Sequence, residues 1–442
     1  MRFSSKDLFR LILPLTIDQL FAATIGIADT LMVANVGEAA VSGISLVDAI
    51  NMLLINIFAA LATGGAIIVA QYLGREDKRS ANKAAVQLLL VTIMLSVALM
   101  LLVLGANGPI LNLIYGATEE SVMKNAQTYF YLSALSYPFI AAYNALSSMF
   151  RSMNNPRVPM FASGLMNVVH IALNFLFIYG LNMGVAGAGL STLITRVSGV
   201  VPLLLLLVRP HYDVNLSRLF PLKFDVGMIK RILQIGVPNG LENGIFQIGK
   251  ILVQGIVSSF GTAAIAANAV AFSASSFAML AGSAVSMASI TVVGRCVGAR
   301  DEKQASHYIL RMALISQVLV GTINLIVLLL SGRIISLYAL SADAAGISRQ
   351  MLICASIFGA LFWSFSFVIP SGMRAANDIK FSMVTAIFSM WTFRVGLGYV
   401  FSYWLGFGAL GVWFSMGADW AFRMIVFFVR YRRGGWKNHQ LI

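Results

Sequence analysis

Apolar stretches of about twenty residues or more succeed one another along almost the whole of this chain, broken only by short polar connections. Runs of that length and number cannot all be hidden in a water-soluble core. Of 442 residues, 59% are hydrophobic and 11% are Asp, Glu, Lys or Arg, less than half of the roughly 25% charge that a hydrated surface carries. The solvent for most of this surface is therefore lipid. The runs are continuous rather than alternating, which excludes a lipid-embedded β-barrel. Spans are predicted near 8–35, 40–72, 84–105, 126–150, 157–180, 185–208, 229–257, 264–296, 307–331, 349–373, 380–404 and 409–430. The expected fold is an all-α membrane protein with twelve transmembrane helices.

A formal net charge of +14 would suggest nucleic acid in a soluble chain, but here the basic residues follow alternate loops. Twelve spans put both ends of the chain on one side, and 23 of the 31 Lys and Arg fall there, from Arg2, Lys6 and Arg10 through Arg151, Arg157, Arg218 and Arg374 to Lys437. Lys124, Arg333 and Arg349 are the opposite-side exceptions. The positive-inside rule then makes both termini cytoplasmic, in a multi-pass protein expected in the plasma (inner) membrane, and no nucleic-acid partner is implied. The first apolar run is too long for a cleavable signal and reads as a retained span. Cys296 and Cys354 are too few and too far apart for a disulfide framework or a metal cluster.

Residues 11–81 repeat at 235–305 with a constant offset of 224. Pro14 meets Pro238, Asp18 meets Glu242, Gly37 meets Gly261, Gly74 meets Gly298 and Asp77 meets Asp301. Farther on, Gly184 and Gly187 meet Gly408 and Gly411, while Arg151 and Asn154 meet Arg374 and Asn377 at an offset of 223. Six spans per copy give both copies one orientation, the layout of a transporter whose halves rock against each other. The expected division is an N-terminal six-helix bundle over 1–208, a cytoplasmic linker over 209–228 containing Pro210 and Pro221, and a C-terminal six-helix bundle over 229–442 with a basic tail.

What such a protein moves is read from polar residues inside the spans. Asp18, Asp29, Asp48, Glu242 and Asp419 fall in the apolar zone, where a carboxylate must be paired, protonated or facing a water-filled cavity. Asp18 and Asp29 share one face of the first span, three turns or about 16 Å apart, and Pro14 stands one turn before Asp18, where it favours a bend.

The stretch from Pro14 through Gly-Ile-Ala-Asp29-Thr-Leu-Met-Val-Ala-Asn-Val-Gly37, with Gln-Tyr-Leu-Gly74 and its counterpart Arg-Cys-Val-Gly298-Ala-Arg-Asp301, resembles the multidrug and toxic compound extrusion (MATE) family. Phe150-Arg151-Ser-Met-Asn154 and Asn174-Phe-Leu-Phe-Ile-Tyr-Gly180 leading into Gly184-Val-Ala-Gly-Ala-Gly189 are similar to its fourth to sixth helices. The resemblance covers nearly the whole chain. It implies two pseudo-symmetric six-helix bundles in a V, in a monomer exporting amphipathic, often cationic small molecules in exchange for protons or sodium ions, with no cofactor beyond that coupling ion. By position, Asp29 matches the family's protonatable or cation-binding aspartate, and His170, Asn174 and Thr192 match polar positions around it. The family often has Asn at His170 and a second Asp at Asn174, so a two-carboxylate sodium site is weakened here.

Asn167, His170 and Asn174 share one helical face, and Thr192 and Arg196 stand one turn apart on the next span. A carboxylate beside an imidazole suits proton handling, since His titrates near pH 6.5 when unperturbed; helix packing by His170 is the competing reading. The C-terminal half has Val253, Arg394, Gly398 and Met416 at the positions of Asp29, His170, Asn174 and Thr192. It holds instead Glu242, Lys250, Arg394, Asp419 and Arg423, either an internal salt-bridge network or a second ion or substrate site. Arg196, Lys250 and Arg394 would also suit a flippase for a lipid-linked or anionic amphiphile. Without a metal-ligand cluster or nucleophile constellation an enzyme is disfavoured, and so is a channel, since no ring of charge repeats across the halves. Gly184–Gly189 follows no strand and precedes no Lys-Ser/Thr, so ATP-driven transport has no support.

Overall fold

The structure, a computed structural model, describes residues 3–34, 36–116, 118–216, 223–338 and 340–437, apart from the side chains of 26–31 and 34. Arg2, Arg218, Pro221 and the Asp29 side chain lie outside the described residues. Within them there is no strand. The helices are α1 (Ser5–Ala34), α2 (Glu38–Gly74), α3 (Lys78–Tyr115), α4 (Glu120–Leu135), α5 (Tyr137–Ser152), α6 (Arg157–Asn174), α7 (Gly184–Val208), α8 (Val226–Ser258), α9 (Thr262–Gly298), α10 (Glu302–Leu329), α11 (Ser331–Ser336), α12 (Ala342–Phe358), α13 (Ser364–Ala375), α14 (Ile379–Ser389), the single turn α15 (Leu397–Tyr399) and α16 (Leu410–Arg433). Wide π turns at Phe175–Gly180, Gly359–Trp363, Met390–Gly396 and Val400–Trp404 continue or join them.

Ten helical segments among the described residues are long and apolar enough to cross a membrane. Two of the twelve expected spans are not among them. The span expected at 126–150 is divided at Ser136 into α4 and α5, with a proline in the first turn of α5. The span expected at 229–257 lies in α8, 33 residues long, whose Lys230, Arg231, Glu242 and Lys250 dilute its apolar run.

The repeat is physical. Helices α2 and α9 have the same length and begin and end 224 residues apart. Each follows a glycine with positive φ, 128° at Gly37 and 91° at Gly261, a conformation that a side chain disfavours. At the next boundary Asp77 accepts from the Ser80 amide at 3.0 Å and Asp301 from the Gln304 amide at 3.0 Å, identical caps that hold the first turns of α3 and α10. Asn154 and Asn377 both take positive φ, at 63° and 71°.

Two compact units result, one of Leu13–Gly240 and one of Leu241–Ile442 together with Met1–Ile12. The sequence places the division in the 209–228 linker, whereas these dividing lines fall inside α1 and α8, two residues or fewer from Pro14 and Pro238. The opening of α1 packs with the later residues: the Phe3 amide donates to Tyr308 Oη at 2.6 Å, and Arg311 Nη2 donates to Ser5 Oγ at 2.8 Å. The opening of α8 packs with the earlier ones: Arg231 Nη1 donates to Tyr72 Oη at 2.6 Å, and the Asp225 amide donates to Gln87 Oε1 at 3.1 Å. A helix-interior proline removes one backbone hydrogen bond, which lets the segments on either side follow different neighbours.

Candidate functional site

In the Leu13–Gly240 unit the polar residues of α6 and α7 converge. His170, Asn174, Ser191 and Thr195 are buried, at 3% exposure or less. The imidazole Nδ1 lies 3.2 Å from Thr195 Oγ1, and Asn174 Nδ2 lies 3.2 Å from His170 Nε2. The threonine hydroxyl and the asparagine amide thus each hold one ring nitrogen. Ser191 Oγ donates to the His170 carbonyl at 3.2 Å. Thr192, expected around Asp29, is buried on α7 and donates to its own helix at Ala188 O, 3.0 Å away. Arg196 also leaves the cluster, with Nη1 donating to Ser136 Oγ at 2.6 Å.

Helix α1 runs along α6 at both ends of this cluster, since Asn167 Nδ2 donates to Phe21 O at 3.1 Å and Tyr179 Oη donates to Met32 O at 3.1 Å. Asp29 occupies the helical stretch between those two contacts. The Asp48 and Asn51 stripe binds helix to helix: Tyr137 Oη donates to Asn51 Oδ1 at 2.8 Å, and Asn51 Nδ2 reaches Asp48 Oδ1 at 3.4 Å.

The other buried acids have partners that the sequence assigned to loops. Asp18, 8% exposed, lies within electrostatic reach of the Arg151 guanidinium and of Ser163. At the equivalent place in the second unit, Arg374 Nη1 donates to both Glu242 carboxylate oxygens at 3.0 Å, while Nη2 donates to Ser371 Oγ at 3.2 Å. Arg151 and Arg374 are thus more than orientation charges: Arg374 pairs directly with the acid four residues after Pro238, and Arg151 lies within electrostatic reach of the one four residues after Pro14. A carboxylate left alone at that depth would cost at least about 2.5–3.5 kcal/mol.

In the second unit the positions of His170, Thr195 and Ser191 are taken, at an offset of 224, by Arg394, Asp419 and Ser415. The geometry is retained and the charge replaced. Ser415 Oγ donates to the Arg394 carbonyl at 3.0 Å, as Ser191 does to His170, and Arg394 Nε lies 3.2 Å from Asp419 Oδ2 where the imidazole meets Thr195. Asp419, with no exposed side-chain surface, also accepts from Arg423 Nε at 2.8 Å and from Ser389 Oγ. Arg423 Nη2 donates to Ala386 O at 2.9 Å. The turn carrying Arg394, Met390–Gly396, is a π turn, whereas the corresponding residues 166–172 are regular α-helix. Lys250 Nζ, Arg394 Cζ and Arg423 Cζ lie 5.4, 5.2 and 5.2 Å from the centroid of Phe246, close enough for the ring faces to offset part of their desolvation. Glu242, two turns before Lys250 on α8, is engaged by Arg374.

The sequence pattern of the MatE family matches residues 14–176 and, a second time, residues 238–400, the same two copies that the caps, turns and serine bonds define. The chain belongs to the MatE family. This MATE transporter is 27% identical over 436 residues to an "Uncharacterized transporter YisQ" of Bacillus subtilis, covering 97% of this chain and 94% of that protein. It is 23% identical to a "Probable multidrug resistance protein NorM" of Thermotoga maritima, over 99% of this chain and 94% of that one. Its fold matches a solved outward-facing MATE family transporter of the MOP superfamily with a TM-score of 0.92 at 21% identity, over 98% of this chain and 97% of that one. A MOP superfamily transporter from Pyrococcus furiosus, titled for the reverse polarity of its binding pocket, matches with a TM-score of 0.91 at 21% identity, over 98% and 97%.

As a MATE transporter the chain is an integral multi-pass membrane protein and not an enzyme. Among the expected residues, the structure joins His170 with Asn174 and Arg394 with Asp419, and separates Thr192, Arg196 and Glu242 from those clusters. Thr195, Ser191, Arg151, Arg374, Ser389 and Phe246 were not singled out for the site. The repeat carried the signal for several of them: Thr195 aligns with Asp419, and Arg151 with Arg374, just as Asp18 aligns with Glu242.

Proposed function

We propose that this MATE transporter is a secondary-active exporter of amphipathic small molecules in exchange for protons or sodium ions, with Asp29 as the coupling acid. The observation that carries the reading is the asymmetry of the two copies. Both keep an acid after the proline with an arginine to answer it, but only the first places a hydrogen-bonded His170–Asn174–Thr195 cluster, in place of an ion pair, beside the helical stretch that holds Asp29. A hydrogen-bonding pocket without a fixed ion pair, beside the helical stretch of Asp29, supports reversible binding of a proton or cation better than a closed salt bridge does. The name of the Thermotoga relative adds multidrug resistance as the cargo class.

In this reading, loading of Asp29 from outside lowers affinity for the outgoing compound, and release of the ion inside restores it. Such differential affinity of two states is what coupling requires. A cationic compound would compete with the ion for the same acid. The protein acts as a monomer in the plasma (inner) membrane with both termini cytoplasmic, an orientation supported by the distribution of its basic residues.

The test is efflux of a cationic dye from proteoliposomes under separately imposed proton and sodium gradients, for the parent and for Asp29→Asn. Movement driven by one gradient and lost in the variant is expected. Undiminished transport by Asp29→Asn would overturn the assignment of the acid, and no movement of any amphipathic dye under either gradient would overturn the exporter.

A further inference from the structure

Three cationic groups of the Leu241–Ile442 unit, Lys250, Arg394 and Arg423, lie within 5.4 Å of one ring centroid, that of Phe246. A single carboxylate, Asp419, answers them: Oδ1 accepts from Arg423 and Ser389, and Oδ2 faces Arg394. Two positive charges therefore remain over, one of them buried and the other on the exposed Lys250. Their donors are unequally spent. Arg423 donates Nε to Asp419 and Nη2 to Ala386 O, whereas Arg394 Nε faces Asp419 Oδ2 at 3.2 Å without donating to it. Among the described residues neither Nη of Arg394 donates to a protein acceptor, and Lys250 Nζ has no carboxylate partner. Lys250 is exposed, two turns before the end of α8, while Arg394 and Arg423 are buried behind it. A structural salt-bridge network would close on itself, as Glu242 and Arg374 do. The equivalent positions in the first unit, Gly26, His170, Thr195 and Gly199, carry no fixed charge, so helix packing in this fold does not require the surplus.

We infer that Lys250 and the outer edge of Arg394 form a binding site for an anionic group, a phosphate or carboxylate, borne by an amphiphile whose apolar part rests against Phe246. The guanidinium offers a planar fork to two oxygens and the ammonium offers a point charge at the open side, while Asp419 and Arg423 hold Arg394 in place. As a substrate site it rests on the exporter reading and narrows it: the cargo then includes molecules with an anionic head, received by the second unit, while the coupling ion is received by the first.

The experiment is equilibrium binding to the full-length protein in phosphatidylcholine nanodiscs, without any gradient. Its probes are dodecyl phosphate and the chain-matched cation dodecyltrimethylammonium. Dodecyl phosphate is expected to bind at least about tenfold more tightly than the cation. Lys250→Gln should weaken it about tenfold and Lys250→Arg should retain it, with thermal midpoints unchanged because Lys250 is outside the Asp419 ion pairs. Equal affinity for the two probes, or an unaltered affinity in Lys250→Gln, overturns the site. Competition identifies the source of the anion: displacement by inorganic phosphate assigns it to a free anion, displacement by phosphatidylglycerol in the disc to a lipid head group, and resistance to both to the amphiphile itself. Binding that persists in a protein that moves nothing in proteoliposomes overturns the exporter and leaves the site standing.

Discussion

Replacing Asp419 by asparagine removes one charge and no volume, which isolates the electrostatics of the most deeply buried ion cluster. In the parent, Oδ1 accepts from Arg423 Nε and from Ser389, and Oδ2 faces Arg394 Nε at 3.2 Å. An amide can present its oxygen to only one of the two arginines, so its NH2 must face the other, donor against donor. Two guanidiniums with 8% and 3% side-chain exposure are then left without a counter-charge. Breaking a buried pair by removing one partner costs about 3–5 kcal/mol. For a cooperative unit of about 200 residues that corresponds to a fall of about 6–20 °C in Tm. The assay is thermal unfolding of purified parent and variant in one detergent, followed by tryptophan fluorescence, since Trp420 is buried beside the cluster. Adding Arg423→Met to Asp419→Asn should recover part of the loss by removing one of the stranded charges. A single variant that unfolds within 2 °C of the parent, or a double variant worse than the single one, would refute the reasoning.

Three further predictions follow from local geometry. Gly282→Ala would place a Cβ 1.9 Å from Trp363 Cζ3; the ring is buried and cannot yield, so destabilisation of about 1–3 kcal/mol is expected by the same unfolding assay, and a neutral effect would mean that α9 and the Gly359–Trp363 turn pack differently. Asp77→Ala and Asp301→Ala should each cost about 1 kcal/mol by loss of a cap, and inequality greater than twofold between them would argue against equivalent repeats. The Asp77 carboxyl is held below its ordinary value of 3.8, chiefly by hydrogen bonds from Ser80. A lowered folded-state value means that its contribution is complete above the unfolded value and is lost as pH falls through the folded one, so the stability gap between parent and Asp77→Ala should be full at pH 6 and shrink only below about pH 4; a gap unchanged at pH 3 would refute the cap's charge dependence.

Local patterns account for what could be read from the residues alone. Long apolar runs without alternation demand helices in lipid, because an unpaired backbone is too costly there. Pro14 and Pro238, Gly37 and Gly261, and Asp77 and Asp301 act on their own backbone within a turn or two, so matching them at a constant offset revealed two copies before any contact was known. The resemblance to the family, carried by the same landmarks, fixed the class of protein. Partners were different. Asp18 finds Arg151, Glu242 finds Arg374 across 132 residues, and Arg394 meets Asp419 on another helix, and each depends on how helices are rotated against one another. Thr192 and Thr195 are both buried on α7, yet Thr195 meets the His170 ring while Thr192 donates to its own helix, because packing sets which hydroxyl on a helix face meets a partner. The division at Pro14 and Pro238, in place of the linker, was likewise decided by tertiary contacts: a proline permits a helix to change neighbours, but only the neighbours determine whether it does.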